Sequence, residues 1–170
     1  MSDDLRDLYQ DLILDHGKHP RNFRVPAAAN REALGHNPLC GDRLNLYITV
    51  DDKGVIQDAA FQGSGCAISV ASASMMTEML KGKAAAEAAH LFDYLHNSCT
   101  GKPADTAGLD EDDIDRIKAL AGVRDYPIRV KCATLAWHTL QAALKNDTGS
   151  VAVAPLGAEQ SRPLNKVSTE

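Results

Sequence analysis

Three cysteines lie in contexts that suit one metal site. They are Cys40 in Asn37-Pro38-Leu39-Cys40-Gly41-Asp42, Cys66 in Gly63-Ser64-Gly65-Cys66-Ala67, and Cys132 in Arg129-Val130-Lys131-Cys132-Ala133. Each falls at a predicted turn or helix start, where a thiolate can be exposed and stabilised. Asp42, just past Cys40, adds an oxygen donor from the same turn. Three thiolates and one carboxylate make a closed tetrahedral set of a kind that Zn²⁺ accepts. Such a shell stays anionic around a divalent cation and calls for positive neighbours, which Arg129 and Lys131 can supply. Spacing alone leaves a plainer reading open. A lone cysteine is often a small buried hydrophobe, and none of the tight Cys-x-x-Cys pairs of a zinc ribbon occurs here.

The elements that must carry these residues follow from periodicity. Leu5, Leu8, Tyr9, Leu12, Ile13 and His16 recur at helical spacing, with Ser2 as cap and Gly17 as end. Residues 18 to 42 read as loop, with only a weak signal for a strand between 25 and 36. Leu44, Leu46, Ile48 and Val50 alternate with polar partners as a half-buried strand. Asp51-Asp52-Lys53-Gly54 turns the chain, and Val55 to Gln62 returns as a hairpin.

Gly63-Ser64-Gly65 then breaks the strand, placing Cys66 at the start of a helix over Ala67 to Leu80. A second helix is predicted over Ala84 to Leu95 and a loop from Asn97 to Leu109, which includes Cys99. Asp110 caps a short helix ended by Gly122, and Pro127 opens a last helix to about Lys145. The layout is α+β: a small antiparallel sheet with helices packed on one side. Residues 1–146 form the predicted domain and 147–170 a flexible C-terminal tail.

Composition bounds the function. The 170 residues suffice for one domain with a real core. The formal net charge is −5 with both signs interspersed, which argues against nucleic acid as a partner. No apolar run approaches a membrane span, and the acidic Met1-Ser2-Asp3-Asp4 is unlike a signal peptide. The expected location is therefore the cytoplasm, where cysteines serve as thiols or ligands rather than disulfides.

The first cysteine string resembles a motif of the IscU/SufU family of iron–sulfur cluster assembly proteins, which is NifU N-terminal-like. So does Gly63-Ser64-Gly65-Cys66-Ala67-Ile68-Ser69, continued through Glu78 and by Gly82-Lys83. The third match is Pro127-Ile128-Arg129-Val130-Lys131-Cys132-Ala133-Thr134-Leu135-Ala136-Trp137. The likeness spans about residues 5 to 145. Lys131 stands where scaffold-type members carry a histidine. Arg124-Asp125-Tyr126-Pro127-Ile128 replaces their chaperone-read segment, and an acidic helix is added around Asp110 to Ala121. These departures look like the SufU branch.

That resemblance implies Zn²⁺ on Cys40, Asp42, Cys66 and Cys132. It also implies sulfurtransferase activity, with Cys40 accepting persulfide sulfur from a SufS-type cysteine desulfurase for the SUF assembly machinery. The alternative it implies is a scaffold that holds an iron–sulfur cluster and hands it on. Arg129, one turn before Cys132, is expected to support the transfer chemistry. Cys99 matches no motif and is set aside; His36 and His138 are possible ligands by type, but the four implied ligands already fill a tetrahedron and His138 reads as a packed or surface residue of the last helix.

Overall fold

Apolar residues at every second position between 42 and 50 build the centre of the sheet. This strand, β2 (Asp42–Val50), pairs antiparallel with β1 (Arg31–Asn37) on one side and β3 (Ile56–Ser64) on the other. The weakly signalled strand is thus β1, centred further along the chain than expected. A short β4 (Ser150–Ala152) runs parallel to β1 and completes the order β3-β2-β1-β4. The computed structural model describes residues 3–145 and 150–152. The expected flexible tail therefore lies outside the described residues, apart from β4.

The register places Ala33 opposite Leu46, Gly35 opposite Leu44 and Asn37 opposite Asp42, and all six are buried. Their face is covered by α2 (Ala67–Leu80) and α5 (Pro127–Leu144). On the other face Glu32, Leu34 and Arg43 are exposed, so the helices do pack on one side. Gly35 matters to this layering. A Cβ there would collide with the Thr139 hydroxyl, so its absence lets α5 rest directly on β1.

Helices α2 and α5 are apolar nearly all round, as befits helices enclosed by other elements. Ser72 cross-links them. Its hydroxyl donates to the Ala133 carbonyl at 2.6 Å and accepts from the Trp137 indole N–H at 3.0 Å. The N-terminal helix α1 (Asp3–Lys18) is fastened to α2 through His16 Nδ1 and Ser74 Oγ, 2.7 Å apart. The same Ser74 oxygen accepts the Arg21 N–H at 2.8 Å.

Helix α3 (Ala85–Thr100) runs further than its local sequence predicts. Cys99 lies in its last turn and is buried, not in a loop. Asn97, Ser98 and Thr100 are weak helix formers, but Leu91, Leu95 and Cys99 extend one apolar row at four-residue spacing. Gly101 then ends the helix in the left-handed region, with φ of 74° and its N–H on the Asn97 carbonyl. Burial pushes the Cys99 thiol up to about 12, the state of an inert core residue. Helix α4 (Glu111–Ala121) begins as expected, with the Asp110 side chain accepting the Asp112 N–H at 2.9 Å. Asp113, buried, anchors it to Lys83 at 2.8 Å and also pairs with Arg116 on the same helix at 3.1 Å.

Two predictions follow from this packing. Ser72→Ala strands a buried indole N–H, so chemical denaturation should read a loss of about 1–3 kcal/mol. His138 packs edge-on against Phe92 at 5.1 Å, and burial, with His96 and Lys131 nearby, pulls its pKa down to about 4. The folded chain then binds fewer protons than the unfolded chain between the unfolded value, about 6.5, and that depressed value. The His138 contribution is fully present above pH of about 6.5 and is lost as pH falls through this window, by roughly 2–4 kcal/mol. His138→Leu should flatten the fall in stability on acidification relative to wild type. Metal release is common to both chains and cancels in that difference.

Candidate metal centre

The β1–β2 hairpin closes on the Asn37–Asp42 pair, and Cys40 sits in the turn beyond it. The Asn37 carbonyl accepts the N–H groups of Cys40 at 3.3 Å and Gly41 at 2.8 Å. Gly41 has φ of 73°, the left-handed conformation such a tight reversal needs. Asp42 follows on the inward face and is 1% exposed. Its Oδ1 accepts the Cys66 N–H at 3.0 Å, which links the hairpin to the start of α2. A Cβ on Gly65 would lie 2.5 Å from that oxygen, so glycine is what lets the carboxylate approach.

Cys66 caps α2, its sulfur accepting the Ser69 N–H at 3.5 Å. Cys132 projects from the second turn of α5 with no exposure at all, contrary to the expectation of an accessible thiolate. Helix packing onto the sheet covers it. Cys66 is half-buried and Cys40 is exposed. The Cys132 and Cys40 sulfurs are 3.7 Å apart. One ligand atom from each of Cys40, Asp42 and Cys132 lies within 4.8 Å of the others, a group able to hold a metal ion. Cys66 falls outside that tight group but is near enough to the Cys132 thiol for each to shift the other.

The site is short of positive charge in its interior. Asp42 Oδ2 is buried and finds no hydrogen-bond partner among the described residues. A buried carboxylate oxygen left this way is costly unless a cation completes it. The thiols are shifted in opposite directions. The neighbouring Cys132 thiol draws the Cys66 thiol down to about 6, helped by the Ser69 and Ile68 N–H groups and opposed by burial and Asp42. Cys132 is pushed up by the Cys66 sulfur and by burial, with Asp42 adding to the effect. The Cys132 thiol thus lies among sulfurs, with Cys40 Sγ accepting from it at 3.7 Å. The donor set, sulfur and carboxylate beside an unsatisfied oxygen, fits a soft cation.

Arg129 is exposed, and its guanidinium is held above its ordinary range by the charge of the Cys66 and Cys132 sulfurs. Lys131 is half-buried and pushed below its usual range by burial. Sequence reasoning missed Asn37. Its side-chain N–H₂ points to the Cys132 sulfur at 3.9 Å, and it is fully buried. The signal was strand parity: Leu46, Leu44 and Asp42 share the inward face with Ala33, Gly35 and Asn37, so the two polar residues at its end were bound to be buried.

Comparison with known proteins agrees with this fold. The family model described as the NifU-like N terminal domain matches residues 8–133. The chain is 40% identical over 142 residues to "Zinc-dependent sulfurtransferase SufU" of Bacillus subtilis, covering 84% of this chain and 92% of that one. It is 36% identical over 148 residues to "Iron-sulfur cluster assembly scaffold protein IscU" of Streptococcus pyogenes, covering 86% and 88%. A crystal structure described as a putative iron-sulfur cluster assembly scaffold protein for the SUF system, from Fervidobacterium islandicum, superposes with a TM-score of 0.73 at 34% identity. That match covers 82% of this chain and 98% of the other.

Gly65→Ala tests the approach of the carboxylate. The added methyl must displace Asp42, so Zn²⁺ affinity measured by competition with a chromophoric chelator should fall by roughly ten- to a hundred-fold. Unchanged affinity would remove Asp42 from the donor set.

Proposed function

Because the chain belongs to the NifU-like N-terminal domain family, we propose that it is a zinc-dependent sulfurtransferase of iron–sulfur cluster assembly, working in the cytoplasm. Its sulfur donor is a SufS-type cysteine desulfurase, and the SUF machinery consumes its product. One observation carries this reading: Cys40, Asp42 and Cys132 converge on one point, and Cys40 is the exposed member. The 40% identity to a protein named as a zinc-dependent sulfurtransferase supports the choice of metal and reaction.

Cys40, Asp42 and Cys132, with Cys66 beside them, would hold Zn²⁺, which keeps thiols deprotonated at neutral pH. The protein's own residues do the rest. The Cys40 thiolate attacks the outer sulfur of the desulfurase persulfide. A sulfur–sulfur bond forms to Cys40, the donor's sulfur–sulfur bond breaks, and the donor cysteine leaves as its thiolate. No net oxidation occurs. The Cys40 turn has room to move because it is exposed, while Cys132 is enclosed by α5 and Cys66 is fixed as a helix cap. Arg129, at the mouth of the site, offsets the charge of the sulfurs that remain.

Iron–sulfur scaffolding is the second reading, favoured by the 36% identity to a protein named as a scaffold. On that reading the same thiolates hold a nascent cluster. Anaerobic purification separates the two: stoichiometric zinc supports transfer, and a coloured labile cluster supports scaffolding. The decisive test locates the sulfur. After reaction with desulfurase and free cysteine, peptide mass mapping should find one added sulfur on Cys40. Cys40→Ser should abolish stimulation of desulfurase turnover, and Arg129→Ala should reduce it while leaving the melting curve near wild type. A persulfide on Cys66, Cys99 or Cys132 instead would overturn the assignment.

A further inference from the structure

Asn37 is the residue that touches both the turn of Cys40 and the sulfur of Cys132. Its carbonyl accepts the Cys40 and Gly41 N–H groups at 3.3 and 2.8 Å. Its side-chain Oδ1 accepts the Leu39 N–H at 3.1 Å, and its Nδ2 reaches Cys132 Sγ at 3.9 Å. With both side-chain functions engaged and no exposure, the carboxamide is held in one orientation. We propose that Asn37 is a positioning residue that makes the sulfurs of the centre inequivalent, marking Cys132 as the retained ligand and Cys40 as the one free to leave. This rests on the metal reading above.

The physical argument concerns what each sulfur loses when a ligand departs. An N–H donor stabilises a thiolate in place and dampens its nucleophilicity. Cys132 has that donor from Asn37, and Cys66 has one from Ser69. Asn37 is itself the fixed base of the Cys40 turn, buried at the end of β1. When Cys40 swings outward, the turn can pivot while the base stays in the core and keeps its hold on Cys132. A side chain without the N–H would leave Cys132 less anchored, and one without either function would also loosen the turn.

Two variants separate these roles in the full-length, zinc-loaded protein. Asn37→Asp keeps the acceptor for Leu39 but removes the donor to Cys132. Asn37→Ala removes both. Chelator competition should show Zn²⁺ affinity reduced by roughly ten- to a hundred-fold in both. In Co²⁺-substituted protein the thiolate-to-metal absorption should change in both, a signature that a purely structural residue would not move. Alkylation of Cys40, followed by mass mapping, should stay near the wild-type rate in Asn37→Asp and rise several-fold in Asn37→Ala. Affinity within two-fold of wild type with an unchanged Co²⁺ spectrum in Asn37→Asp overturns the inference, whether or not Asn37→Ala folds. Wild-type protein that takes up no stoichiometric Zn²⁺ would instead overturn the metal reading beneath it.

Discussion

A carboxylate is buried at the end of the sheet's inward face, and much of the surrounding structure answers to it. Asp42 occupies a position where strand parity demands a core residue. An unpaired charge there would cost several kcal/mol, more than most single contacts can return. The neighbouring backbone meets part of that demand. The strand after the hairpin ends at Ser64, Gly65 omits the Cβ that would block the carboxylate, and the Cys66 N–H turns toward it. The oxygen that remains is the one a cation would complete.

The same arrangement explains why a site assembled from distant segments is part of the fold rather than an addition to it. Asp42 ties the β1–β2 hairpin to the N-cap of α2 through the Cys66 amide. Ser72, further along α2, ties that helix to α5 through Ala133 and Trp137, on either side of the turn that follows Cys132. Displacing either helix by a fraction of an ångström would therefore move a sulfur. Close-packed interiors resist such shifts, and the apolar faces of α2 and α5 supply that rigidity. A metal ion held by these residues would couple its binding to folding.

The cysteines differ because their elements differ. A turn exposes Cys40, a helix start half-covers Cys66 and favours its thiolate, and a helix body encloses Cys132. Cys99 completes the contrast: buried among apolar neighbours and pushed up to about 12, it is chemically silent although its residue type is the same. Arg129 is exposed, and its guanidinium feels the charge of the Cys66 and Cys132 sulfurs, so compensating charge for the centre stands at the rim.

Much of the fold was legible locally. Alternation over residues 44–50 identified β2, and Asp110 and Pro127 marked the starts of α4 and α5; Cys66 was placed at a helix start, although β3 runs on through Gly63 and Ser64 and breaks only at Gly65. These are short-range properties, written in side-chain period and backbone freedom. The end of α3 was not legible, because packing of Cys99 and the left-handed Gly101 outweighed the weak propensities of Asn97 and Thr100. For the site, the sequence by itself determined which residues have the chemistry: sulfur, carboxylate and guanidinium in glycine-rich turns and helix starts. Only the tertiary structure decided their relations. That Cys40 and Cys132 lie 3.7 Å apart, and that Asn37 reaches a sulfur 95 positions away, depends on α5 settling over the end of the sheet. Contacts at such separations leave no local period, because they come from faces buried together rather than from neighbours along the chain.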